Sequence, residues 1–109
     1  MAQFDVHRNP GVRRDTIPFV VLVQSAQFDR YRRRVVVPLV RRSALPADTP
    51  TAGSRMNPVF QFQGDALVLH PLDMVSVELA NLGALVGSLA DQGAAIADAL
   101  DELLTRSWG

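Results

Sequence analysis

The first two-thirds of the chain shows the hydrophobic pattern of short β-strands. Polar and apolar side chains alternate over residues 3–8, the period of two that is typical of a half-buried strand. Residues 19–23 (FVVLV) and 34–40 (RVVVPLV) are apolar runs that are too short for a helix and suit strands buried on both faces. Pro38 has no N–H to donate to a ladder, so we predict that it lies at an edge, a bulge or a kink.

A hairpin is the clearest local signal. It follows a polar, proline-rich loop over residues 43–58. Residues 59–63 and 66–69 flank Gly64-Asp65, which predicts two antiparallel strands joined by a two-residue turn. Residues 75–77 predict a short final strand.

The C-terminal part predicts one amphipathic helix that begins at about Asp91. Apolar or small residues recur on one helical face, namely Ile96, Leu100, Leu103, Leu104 and Ser107. Trp108, the only tryptophan, follows Leu104 by four residues and extends this face. We therefore predict an α+β, mainly β fold: one domain over residues 1–109, with a small antiparallel β structure and a C-terminal helix.

Composition narrows the class of protein. The 109 residues are 48% hydrophobic and 20% charged, which is typical of a globular domain. Cysteine is absent, which excludes disulfide scaffolds and cysteine-ligated metal sites and favours a reducing compartment. The sequence begins without the pattern of a signal peptide, and no apolar run approaches the roughly 18 residues of a membrane span. These features predict a cytoplasmic protein.

The residues offer little support for catalysis. His7 and His70 are far apart in sequence, and neither has a metal-ligating residue at short spacing. No serine lies in a nucleophile elbow, and no glycine-rich phosphate loop is present. We predict a binding protein that is not an enzyme and needs no cofactor or metal.

Charge is balanced overall but unevenly distributed. All eleven basic residues are arginines, and six of them lie between residues 30 and 42. Such a cluster can bind nucleic acid, but Phe28 and Tyr31 are the only aromatic residues interleaved with it. A solvated loop or a patch that faces an acidic protein is the favoured interpretation.

Several segments, in order along the chain, resemble the CcdB toxin family. They are residues 3–6 (QFDV), 21–25 (VLVQS), 34–39 (RVVVPL), 57–60 (NPVF) with the hairpin that follows, and 88–91 (SLAD). The resemblance implies a compact SH3-like barrel with an inserted hairpin and a C-terminal helix. It also implies a tight homodimer and the toxin half of a bacterial toxin–antitoxin pair. Toxins of this family bind the A subunit of DNA gyrase and trap it with its DNA cleaved.

The resemblance assigns candidate contact residues. A Trp-Gly-Ile ending contacts gyrase in the family, where the Trp stacks on an arginine, so Trp108 and Gly109, with Ser107, are the candidate gyrase-binding residues here. Further partner contacts are expected near them, at Ser25, Ala26, Gln27, Phe28 and Asp101. An antitoxin with an acidic, disordered segment is the second expected partner, and the candidate residues for it are Arg30, Arg32, Arg33 and Arg34. DNA is expected to be bound, for transcription regulation, only through the antitoxin complex.

Three departures from the family pattern motivate an alternative function. The terminal Ile is absent, and Ala26 replaces the Asp that commonly follows the Gln-Ser pair. Trp108 lies about three residues beyond the usual position, roughly 4–5 Å along a helix axis. The alternative is a protein-binding module of CcdB fold that retains dimerisation and antitoxin binding without poisoning gyrase. Candidate dimer residues are Val35, Val37, Leu100, Leu103 and Leu104.

Overall fold

The computed structural model describes residues 1–46 and 52–106. Within these residues, seven strands precede one α-helix: β1 (Asp5–Arg8), β2 (Phe19–Leu22), β3 (Arg33–Arg41), β4 (Val59–Phe62), β5 (Asp65–Leu69), β6 (Val75–Glu78), β7 (Leu85–Ser88) and α1 (Gly93–Asp101). Short 3-10 turns cover Ala26–Phe28, Arg42–Ala44, Pro71–Asp73, Leu79–Asn81 and Ala90–Gln92, and a π-helical turn, Glu102–Arg106, follows α1. The predicted α+β, mainly β fold is confirmed.

The strands form one antiparallel sheet in the order β4-β5-β3-β2-β1-β7. β3 is its longest strand and has two partners on one side: residues 33–36 pair with β6 and residues 39–41 pair with β5. Pro38 lies between these two ladders, and its carbonyl accepts the His70 N–H at 3.1 Å. The proline therefore belongs to a central strand, where the change of partner strand leaves a position that needs no ladder donor.

The predicted hairpin is present, but its turn begins one residue earlier than expected. Phe62 pairs with Asp65, so the two turn residues are Gln63 and Gly64. Their φ angles are +50° and +82°, the left-handed values that a type I′ turn requires at both central positions. Asp65 belongs to β5 instead, where its carboxylate accepts a hydrogen bond from Arg41.

The final strand, β7, is absent from the predicted elements, since residues 75–77 were expected to be the last strand. β7 pairs with β1 and lies against the tip of the hairpin, where Gln63 Nε2 donates to the Val86 carbonyl at 3.2 Å. A Cβ on Gly87 would come within 2.8 Å of the Phe62 ring. Its small residues thus suit a close contact between the two ends of the sheet, which curls into a half-barrel.

The core lies inside this curve and is closed by α1. Ile96 and Ala99 are its fully buried helical residues, and Phe19 and Phe62 pack edge to face with centroids 5.2 Å apart. The helix prediction is confirmed in type and start, but Leu104 is 65% exposed although it was placed on the buried face. Leu104 follows Ile96 by eight residues, which in a regular helix is about 80° around the axis, so Leu104 lies at the edge of the face that Ile96 buries.

Candidate partner-binding surface

The segment between β2 and β3 forms a structured surface loop. Ser25 caps its 3-10 turn, since the hydroxyl oxygen accepts the Gln27 N–H at 3.3 Å. Phe28 N–H and Tyr31 N–H donate to the carbonyls of Ser25 and Phe28, each at 3.1 Å. The loop therefore consists of consecutive tight turns. Ala26 and Gln27 are exposed on it.

Two aromatic rings stand on the outside of this loop. Phe28 is 40% exposed and Tyr31 is 60% exposed, and their ring centroids lie 5.9 Å apart. They line a shallow groove of about 580 Å³ together with Gln24, Arg30, Arg32, Arg33, Val35 and Ser76. Exposed aromatic side chains beside arginines are the residue types that dominate binding energy at protein interfaces. The groove has no acidic side chain in its lining, so it suits an anionic or hydrogen-bond-accepting partner.

The four candidate arginines fall into distinct environments. Arg33 Nε donates to Ser76 Oγ at 2.9 Å, and its guanidinium lies 3.6 Å from Glu78 Oε1. Arg30 and Arg32 are exposed and form no ion pair within residues 1–46 and 52–106. Arg34 is fully buried, so it is not a surface cation. Sequence proximity thus grouped one internal arginine with three surface arginines.

Asp29 is the acidic partner of the buried arginine. Its Oδ1 accepts a hydrogen bond from Arg34 Nη1 at 2.6 Å, and its Oδ2 accepts one from the N-terminal ammonium of Met1 at 2.9 Å. The hydrogen bond from the N-terminus, and then that from Arg34, hold the pKa of the Asp29 carboxyl below its usual value of 3.8. The carboxylate is therefore ionised throughout the physiological range.

The lowered pKa predicts an acid-sensitive contribution to stability. A carboxyl whose pKa is lower in the folded state stabilises the fold above its unfolded pKa, and this contribution disappears as pH falls through the folded pKa. We expect Asp29→Asn to unfold at lower urea concentration than wild type at neutral pH, with the gap narrowing as the pH falls below about 4. An Asp73→Asn control tests a more exposed carboxylate. A gap that is independent of pH would contradict the prediction.

The remaining candidate residues lie at or beyond the helix end. Asp101 is exposed at the last position of α1, and its carbonyl accepts the Thr105 hydroxyl at 2.9 Å. Ser107, Trp108 and Gly109 lie outside the described residues, so their predicted role stays a prediction.

The candidate dimer residues differ in exposure. Val37 is buried in the core, whereas Leu104 is exposed.

Neither histidine is placed for metal binding. His7 is buried, with Nδ1 2.9 Å from the Gly83 carbonyl, and His70 Nδ1 lies 3.1 Å from Asp73 Oδ2 without hydrogen-bond geometry. Within residues 1–46 and 52–106, no three His, Cys, Asp or Glu side chains gather where they could hold a metal ion. No helix in this part of the chain is long and apolar enough to cross a membrane.

The groove was not predicted from the sequence. Gln24 and Ser76 complete it from the end of β2 and from β6, and no local pattern marks either residue. The available signal was the three-residue spacing of Phe28 and Tyr31 among arginines, which places both rings on one side of a turn.

Comparison with known proteins decides the family. A family model described as CcdB protein matches residues 3–106, nearly the whole chain. This chain belongs to the CcdB family. Membership implies that the protein is the toxin of a toxin–antitoxin module, and the match ends two residues before Trp108.

Among solved structures, the CcdB-family chain is similar to the Mycobacterium tuberculosis toxin MazF-mt6. The TM-score is 0.70 at 16% sequence identity, and the alignment covers 95% of this chain and 99% of that chain. At this identity the similarity establishes the shared fold. A comparison with curated protein sequences finds no match.

Proposed function

We propose that this CcdB-family protein is a toxin that binds the A subunit of DNA gyrase and traps the enzyme with its DNA cleaved. The observation that carries the proposal is the family match over residues 3–106. The exposed aromatic pair on the β2–β3 loop supports it, since Phe28 is one of the residues expected to flank the gyrase contact. The toxin acts by binding, and the groove has the arginine and aromatic side chains suited to that role.

Trp108 and Gly109, with Ser107, are the proposed anchor on gyrase. A Trp ring that stacks on a target arginine contributes about 1–2 kcal/mol when the contact is desolvated. Ser25, Ala26, Gln27, Phe28 and Asp101 are the proposed flanking contacts. A homodimer would present two such anchors to a two-fold symmetric target.

The test is a cleavage assay with the purified protein and DNA gyrase from the source organism. Gyrase is incubated with supercoiled DNA and the protein. After denaturation, the amount of cleaved DNA that is covalently attached to gyrase is quantified. We expect the amount of cleaved DNA to increase with the concentration of the toxin. A folded protein, dimeric by sedimentation, that leaves cleavage at its basal level would contradict the proposal and favour the alternative binding module.

An antitoxin is the second proposed partner. Three exposed arginines, Arg30, Arg32 and Arg33, lie around the groove, and because Arg33 is paired with Glu78, the positive charge of this rim comes mainly from Arg30 and Arg32. An acidic, disordered segment of an antitoxin would be attracted to this rim and would order on binding. Arg34, because it is buried, is proposed to contribute indirectly.

Neutralising the rim is expected to weaken antitoxin binding and flatten its salt dependence. For the triple variant Arg30→Gln, Arg32→Gln and Arg33→Gln, we expect an affinity loss of about tenfold or more at low salt, with most of the difference lost near 0.5 M salt. The probe is the antitoxin encoded beside the toxin gene, and affinity is measured by calorimetry. The control, Arg13→Gln, Arg14→Gln and Arg42→Gln, removes the same charge from exposed positions elsewhere. Equal effects of the two triple variants would contradict a local site.

A further inference from the structure

We infer that Arg34 is a positioning residue that holds the β2–β3 loop in the shape in which Phe28 meets a partner. The inference deepens the proposed function, because the partner side of it rests on gyrase or antitoxin binding at this loop. That Arg34 holds the conformation of the loop is argued from the contacts of its guanidinium, and this part can be tested without any partner.

The guanidinium of Arg34 is hydrogen-bonded mainly by the loop. Nη1 donates to Asp29 Oδ1 at 2.6 Å, and Nη2 donates to the carbonyls of Ser25 at 3.1 Å and Gln24 at 3.4 Å. Nε donates to Gln24 Oε1 at 3.3 Å. A buried cation is tolerated only when it is paired and hydrogen-bonded, and here the acceptors are groups of residues 24–29 together with Met1 Sδ, 3.6 Å from Nη1.

These contacts hold both sides of the loop to one strand. Gln24 Oε1 accepts a second hydrogen bond from the Val35 N–H at 2.9 Å, so the start of the loop is fixed to β3. Asp29, five residues before Arg34, fixes the far side of the 3-10 turn. A planar fork with several donors can serve these acceptors together, whereas the single ammonium of a lysine cannot reach all of them.

One carbonyl connects Arg34 directly to Phe28. The Ser25 oxygen accepts hydrogen bonds from both Arg34 Nη2 and the Phe28 N–H. The Phe28 carbonyl in turn accepts the Tyr31 N–H. A change at the guanidinium is therefore transmitted through Ser25 to the turn that carries both aromatic rings.

Hydrogen exchange tests this arrangement in the full chain. In Arg34→Lys we expect the amides of Phe28, Asp29 and Tyr31 to exchange about tenfold faster or more, while the Val37 amide in the core keeps its rate. Arg33→Lys is the matched control, since its side chain is on the surface, and it should leave the loop amides unchanged. Uniformly faster exchange across loop and core would overturn the inference, because it would show a general stabilising role.

A double-mutant cycle on gyrase A affinity tests the route through Phe28. If Arg34 acts by placing Phe28, an affinity loss of about tenfold from Arg34→Lys should shrink to about twofold in a Phe28→Ala background. Full additivity would overturn the inference. Wild-type protein that does not bind gyrase A would count against the proposed function, and the exchange pattern would then decide the inference alone.

If Arg34→Lys fails to fold, Gln24→Ala is the second variant for the exchange experiment. It removes the acceptor shared by Arg34 and Val35, and it should likewise speed exchange of the loop amides only.

Discussion

Trp108→Ala is expected to abolish the accumulation of cleaved DNA in the gyrase assay while leaving the protein folded. Interface anchors of this type lose about 2–4 kcal/mol on truncation, which corresponds to an affinity loss of about 30- to 1,000-fold. The proposed contact is a tryptophan on an arginine, and no alanine can replace the ring face. The measurement is the toxin concentration that gives half-maximal cleavage, with far-UV circular dichroism as the test of folding.

Leu85→Ala is the matched control for this variant. Leu85 is a large apolar side chain, 59% exposed on β7, and it is outside the proposed contact residues. Its truncation should leave cleavage within about twofold of wild type. Trp108→Ala that retains full cleavage would contradict the anchor, and Trp108→Ala that unfolds would indicate that the ring packs in the core instead.

Gly83→Ala is expected to destabilise the fold severely, because the added methyl group would clash with the backbone of β1. A Cβ at Gly83 would lie 2.1 Å from the Arg8 carbonyl oxygen and 2.9 Å from the Arg8 carbonyl carbon. The segment cannot withdraw easily, since Arg8 N–H donates to the Ala84 carbonyl at 2.8 Å and His7 Nδ1 donates to the Gly83 carbonyl at 2.9 Å. We expect a loss of about 3–5 kcal/mol in the free energy of unfolding, a large part of the stability of a small domain.

Urea unfolding followed by circular dichroism measures this loss. Gly11→Ala is the matched control, because a Cβ there would meet only the side chain of Asn9, with the amide oxygen at 3.2 Å. That side chain can shift, so the control should change stability by no more than about 1 kcal/mol. Equal losses for the two variants would show that the backbone between β6 and β7 can move away from β1.

The strands with continuous apolar runs could be predicted because their local pattern and their burial agree. Phe19–Leu22 and Arg33–Arg41 are strands in which most of the β-branched residues are buried in the sheet. The hairpin could be predicted from its glycine, but not its register, since Gly64-Asp65 and Gln63-Gly64 are both acceptable turn dipeptides. The pairing of Phe62 with Asp65 selects the second.

The elements that could not be predicted depend on distant contacts. Leu85–Ser88 contains a glycine and only two large apolar residues, and it is a strand because β1 pairs with it and the Phe62 ring lies over Gly87. The candidate site likewise has features that can be predicted from the sequence and features that depend on the folded structure. The sequence marks an arginine cluster, but it cannot separate Arg34 from Arg33, because the difference lies in the acceptors that surround each guanidinium.

The sequence by itself determined the class of fold, the family and the residue types available for binding. Hydrophobic periodicity and turn chemistry are local properties, so they are readable along the chain. The tertiary structure alone decided that Phe28 and Tyr31 share a groove with arginines from the same loop, and that Arg34 is turned inward onto Gln24, Ser25 and Asp29. The physical reason is that burying a charge requires several acceptors at once, and only the folded loop brings them together.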